Sequence, residues 1–182
     1  MAKFTDALTA AHLAFIAEQK IYFVASAPRA GRINLSPKGM DTFRVLSTTR
    51  VGYLDVTGSG NETAAHLLEN GRVTLMMCSF ATSPLIFRIY GRGRTVQPGD
   101  ADWTQLRPLF GPPLAGERQL ALTEIESIQT SCGFGVPFFN YIGERPTLLD
   151  YAEQKGPSGM AAYRAQKNQR SIDGLPTGLH FE

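Results

Sequence analysis

The chain lacks most of the residue groupings that announce a particular chemistry. It holds two cysteines in 182 residues, Cys78 and Cys132, and no C-x-x-C pair. That excludes a disulfide framework and a thiolate metal site, and the expected setting is reduced and cytoplasmic. Its three histidines, His12, His66 and His180, share no metal-ligand spacing. The G-x-S-x-G elbow of serine hydrolases is missing, as are G-x-G-x-x-G and the phosphate loop G-x-x-x-x-G-K-[ST]. No uninterrupted apolar run approaches the roughly 18 residues of a membrane span, so no membrane partner is expected. The first twenty residues carry Asp6 and Glu18 and no apolar run of signal-peptide length, so secretion is not expected. An excess of either charge is missing too, with 18 basic against 16 acidic residues and a net charge of +2. Thirteen of the cations are arginine, and between Arg29 and Arg94 nine basic residues stand against four acidic. Nucleic-acid binders cluster such charge into stripes, so no nucleic-acid partner is expected, whereas a small anion suits this spread.

What is plentiful is glycine (18) and proline (11), the punctuation of a chain with many turns between short elements. With 43% hydrophobic and 19% charged residues in 182, one compact, β-rich domain is the default. The spacing of Leu8, Ala11, Phe15 and Ile16 predicts a helix over 5–19, with Thr5 or Asp6 capping it. Strands are expected at 21–24, 32–36, 51–56, 72–80 and 85–96, with turns at 28–31 and at Ser83-Pro84. Between two of them, Ser59-Gly60-Asn61-Glu62 has capping-box spacing ahead of a helix to Asn70, and Gly71 is its natural stop. Residues 99–110 read as helical, and two short helices are expected at 147–155 and 158–168. Leu120 to Ile128 fits strand or helix equally well.

Several of these features have a plain reading and a functional one. The loop Thr57–Gly60 opens a helix whose free amide protons form an anion site, unless Ser59 and Glu62 satisfy those protons themselves. Ser36-Pro37-Lys38-Gly39 ends a strand with a hydroxyl and an ammonium, which either reach a bound phosphate or flavin edge or belong to a solvated turn. Arg88, Arg92 and Arg94 share one strand face, as an anion surface or as a solvated rim. Cys78, in an apolar strand, reads as a small core residue, and Cys132 sits in a glycine-rich turn that could line a pocket.

The stretch VGYLDVTGSGNETAAHLLENGRVTLMMCSF, preceded by GRINLSPKG, resembles the pyridoxamine 5′-phosphate oxidase-like family of flavin-binding split barrels, over roughly residues 8–96. Within it the chain is similar to the "oxidase-related" subgroup, whose tail features CGFGVPFF and SIDGLPTGL resemble. The resemblance implies a mainly β fold with flanking helices: a six-stranded antiparallel split β-barrel in a single domain, 1–182. Its barrel core would span about 8–140 and a helical tail about 145–182. It implies a homodimer with FMN held in two clefts at the dimer interface. By the same resemblance the cofactor residues fall on Ser36, Pro37 and Lys38, on Tyr53 and Leu54, and on Asn61, Glu62 and Thr63. Here Ser36 stands where the family has an arginine, Leu54 replaces a threonine, and Glu62 and Thr63 replace two cations. The arginine and histidine that hold pyridoxal phosphate in the true oxidase have no counterpart. The implied function is an FMN-dependent oxidoreductase acting on a small molecule other than pyridoxamine phosphate. The alternative is a split-barrel dimer that has lost flavin and serves as a binding or structural protein.

Overall fold

In β2 (Tyr22–Ser26) buried and half-buried side chains alternate, so one strand face points into a core and the other outward. The computed structural model describes residues 2–180. In chain order the remaining elements are β1 (Lys3–Thr5), α1 (Ala10–Glu18), β3 (Asn34–Lys38), β4 (Phe43–Ser47) and β5 (Arg50–Val56). They continue with α2 (Glu62–Asn70), β6 (Arg72–Cys78), β7 (Ile86–Val96), α3 (Trp103–Leu106), a 3-10 turn over 107–110, β8 (Glu117–Ser131) and α4 (Thr147–Lys167). The expected hairpins and crossover helix are present. Within α4, Gly156 has φ 65° and Pro157 follows it, so the span is two helices meeting at a kink, as the sequence suggests.

All eight strands form one antiparallel sheet, in the order β3-β2-β6-β7-β8-β5-β4, with β1 added to β8. The expectation of six strands is therefore corrected to eight. The fifteen-residue β8 is long enough to serve β7 along its length, β5 at 117–124 and β1 at 128–130, which is how the extra strands are accommodated. The hydrogen-bonded order is open, with β3 and β4 as its edges. Yet the Tyr22 ring of β2 lies 5.3 Å from the Phe43 ring of β4, although four strands intervene. In a flat sheet five strand spacings would separate them by about 24 Å, so the sheet curls until its two ends face each other. Side chains close the gap: Tyr22 and Thr42 hydroxyls share a 2.9 Å hydrogen bond, and Lys38 of β3 reaches Asp55 of β5. The enclosed core includes Val24, Val51, Tyr53, Leu75, Phe87, Ile89 and Ile128, drawn from five strands.

The α1 cap lies later than expected. The Thr9 hydroxyl accepts from the His12 amide, and His12 Nδ1 accepts from the Thr9 amide. The helix α2 ends at Gly71, in the left-handed region at φ 73°, as expected. Its start is different. Because the helix begins at Glu62, with Asn61 as N-cap, Glu62 is the first helical residue and not the third, so the Ser59–Glu62 capping box does not form. No helix among the described residues is long and apolar enough to cross a membrane.

Candidate functional site

Where the curled sheet leaves its edges unpaired, a cleft of about 410 Å³ opens. One wall is β3 and its turn, from Asn34 to Met40. The other is the end of β5, the 58–61 loop and the first turn of α2, with Arg118 of β8 and Leu148 of α4 also lining it. The structure thus brings together Ser36, Pro37, Lys38, Leu54, Asn61, Glu62 and Thr63, which lie up to 27 positions apart in the chain. Tyr53 is the exception. It shares a strand face with Asp55, but its ring lies in the core against Tyr22 at 5.8 Å, with Lys38 Nζ 5.4 Å from its centroid, while the Leu54 side chain on the opposite face packs with Val96, Phe110, Leu120 and Leu122. Burial, with the Asp55 charge adding to it, pushes the Tyr53 phenol well above the ordinary value.

The electrostatic centre of the cleft is Asp55, which the sequence reading passed over. It is 4% exposed, accepts from Lys38 Nζ at 2.7 Å on one oxygen, and from Arg118 Nη2 at 2.6 Å and Gln119 Nε2 at 2.9 Å on the other. Burial alone would raise its pKa, but the charges of Arg118 and Lys38 prevail and hold the carboxyl well below the usual carboxylate range. Arg118 also donates to the carbonyl of Gly60 and to Asn168 Oδ1, which ties it to the loop before α2 and to the C-terminal segment. Gln119 Nε2 bridges to Asn61 Oδ1 at 2.9 Å, so the N-cap residue is held by the sheet instead of capping its own helix. Along the β3 wall, Ser36 donates to Asn34 Oδ1, and the Asn34 amide donates to the Thr63 hydroxyl at 3.1 Å.

Glu62 turns away from its own helix. Both its carboxylate oxygens accept from the backbone amide of Ile172, at 3.0 and 3.1 Å. The segment after α4 is therefore clasped to the cleft, and Asn168, fully buried, completes the clasp through Gly58, Asn61 and Thr177. Arg118 Nε, in a residue lining the cleft, and Oε1 of the neighbouring Gln119 behind it are buried without a hydrogen-bond partner. Each such atom carries a desolvation cost that a bound polar group would relieve. The arginines of β7 belong to the plainer reading, since Arg92 pairs with Glu126 and Arg94 with Asp102 on the outer face.

The model of the family described as pyridoxamine 5′-phosphate oxidase matches residues 8–132. The chain belongs to this family. A relative, "Pyridoxamine 5′-phosphate oxidase family protein ustO" of Aspergillus flavus, is 41% identical over 179 residues, an alignment spanning 89% of this chain and 72% of that protein. Among solved structures, a Lactobacillus delbrueckii protein provisionally described as a pyridoxamine 5′-phosphate oxidase superposes with a TM-score of 0.54 at 18% identity, over 68% of this chain and 94% of that one. The FAD binding protein of Mycobacterium smegmatis superposes with a TM-score of 0.50 at 13% identity, over 70% and 97% of the two chains. At these identities the two structures attest the fold, and the pyridoxamine 5′-phosphate oxidase family assignment rests on the sequence matches.

Proposed function

We propose that the cleft holds a flavin, as FMN, and that the chain is an FMN-dependent oxidoreductase acting on a small molecule other than pyridoxamine phosphate. The observation that carries this reading is the buried Arg118, 5% exposed, lining the cleft with one donor unpartnered and Lys38 across from it. Around that pair stand the hydroxyls of Ser36 and Thr63, the Asn61 amide and the opening amides of α2, a donor set suited to a phosphate and to a flavin's ring carbonyls. Lys38, Arg118, Ser36, Asn61 and Thr63 would hold the cofactor, and Pro37 would supply apolar contact. Bound there, a flavin supplies hydride or electron transfer, while the protein contributes position and electrostatics. That the Mycobacterium relative is named for binding FAD supports a flavin in this fold.

The second reading, a split-barrel dimer without flavin, has its own observation. Asp55 already pairs with both Lys38 and Arg118 and cancels one of their two charges, and Glu62 adds a second negative charge at the mouth. The visible absorption spectrum of freshly purified protein, followed by fluorescence titration with FMN, separates the two. The flavin reading expects a bound chromophore or saturable quenching. A colourless protein that leaves FMN fluorescence unchanged at high micromolar concentration belongs to the second.

A further inference from the structure

A second and larger cavity, about 1010 Å³, adjoins the cleft and shares Pro37, Lys38, Gly39, Met40 and Leu148 with it. We propose that this cavity binds an apolar, aromatic-sized molecule bearing one anionic group, and that it is the substrate site. The proposal rests on the flavin reading for the chemistry performed, but not for the binding itself.

The lining is mainly apolar and aromatic, through Ile21, Phe23, Phe80, Phe139, Leu148 and Tyr151. Cavities of this size and lining, with a few convergent polar groups, are the usual form of small-molecule sites. Its outer wall is fixed at two points. The Phe139 amide donates to the Phe80 carbonyl at 3.3 Å with the two rings 5.1 Å apart, and the Met40 amide donates to Glu144 at 3.1 Å. The turn that carries this second anchor is strained, since Met40 (φ 61°) and Asp41 (φ 50°) both occupy the left-handed region without being glycine. Strain of that kind persists where surrounding contacts impose it, and here it lies on the rim common to the two cavities.

Five charged side chains line the cavity: Glu18, Lys20, Lys38, Glu144 and Arg145. Lys38 is engaged by Asp55, and Glu144 by the Met40 amide and the Tyr141 hydroxyl. Three cations against two carboxylates leave the lining one positive charge, because neutral donors do not cancel Glu144 and the single Asp55 carboxylate is shared between Lys38 and Arg118. Lys20 and Arg145 make no salt bridge among the described residues, so an anionic group meets them unpaired. The wall from Phe139 to Tyr151 also lies beyond residue 132, where the family match ends, so the selectivity of this cavity belongs to the chain's own C-terminal part.

The test uses two isosteric probes, 2-naphthoate and its neutral amide 2-naphthamide, titrated by their fluorescence against the purified full chain without added flavin. The expected result is saturable binding of both, with naphthoate tighter by about fivefold, the scale of exposed charge contacts. The double variant Lys20→Ala/Arg145→Ala should abolish that preference and leave naphthamide binding unchanged. Ala81→Trp, an exposed rim position, should weaken both probes by about tenfold or more, as expected for a filled cavity. Equal affinity for the two probes overturns the anionic preference. Absence of saturable binding overturns the site and favours a second copy of the chain covering this face, as does an Ala81→Trp variant that binds normally. If naphthoate binds while FMN does not, the flavin reading falls and this site stands.

Discussion

Replacing Asp55 by Asn would leave Arg118 and Lys38 facing a neutral amide. Because Arg118 is buried, the lost partner should cost about 3 kcal/mol of stability at neutral pH. The pH dependence has a definite sign. The folded-state pKa of Asp55 is depressed, so its contribution is fully present above the unfolded value of about 4 and is lost as pH falls through the folded value. Urea midpoints measured from pH 7 downward should therefore fall below about pH 4 in the wild type and fall less steeply in Asp55→Asn. Parallel acid limbs would show that Asp55 is not the group that titrates. The same variant should bind FMN more tightly, since one negative charge beside the two cations is removed. Nothing local in the sequence pairs Lys38 with Asp55, 17 positions on, or Asp55 with Arg118, 63 positions on, because strand pairing alone makes them neighbours.

At the scale of elements, α2 and the segment behind it would decide how a flavin phosphate is received. Glu62 stands in the first turn, where the helix dipole favours a carboxylate, and it is also bonded to the Ile172 amide. Near 4 Å and an effective dielectric of about 20, each unit of phosphate charge would be repelled by about 4 kcal/mol before screening. Glu62→Arg should therefore tighten FMN by about tenfold or more, while the lost bond to Ile172 lowers stability by about 1 kcal/mol. A paired titration and thermal melt checks both, and a folded variant with level or weaker FMN affinity would move the phosphate away from α2. The sequence carried the apolar alternation of the early strands, the Gly71 stop and the Gly156-Pro157 break, because each is set within a few residues. It left β8 undecided because Arg118 to Thr123 are buried on both strand faces, so neither period shows. It placed Glu62 correctly at the helix start but not its partner, which comes from 110 positions later in the chain.

At the scale of the whole molecule, the homodimer is a proposal that exposed apolar side chains support. Phe134, Phe138 and Ile142 lie on one segment between β8 and α4, with Ile142 fully exposed, and exposed apolar side chains of this kind are what a partner surface would bury. The homodimer implied by family resemblance would cover them. Light scattering at micromolar concentration should give about twice the 19.9 kDa chain mass, and a monomer would remove the shared interface from the account. If the Lys38–Arg118 cleft receives a flavin by its phosphate, titrating the protein with FMN and with riboflavin, which lacks that group, will separate the two. FMN should bind at least about tenfold tighter, the scale of one charge-assisted contact, and Lys38→Ala should abolish most of the difference. Equal affinity for the two flavins, or a difference that survives in Lys38→Ala, would contradict the assignment of the cleft.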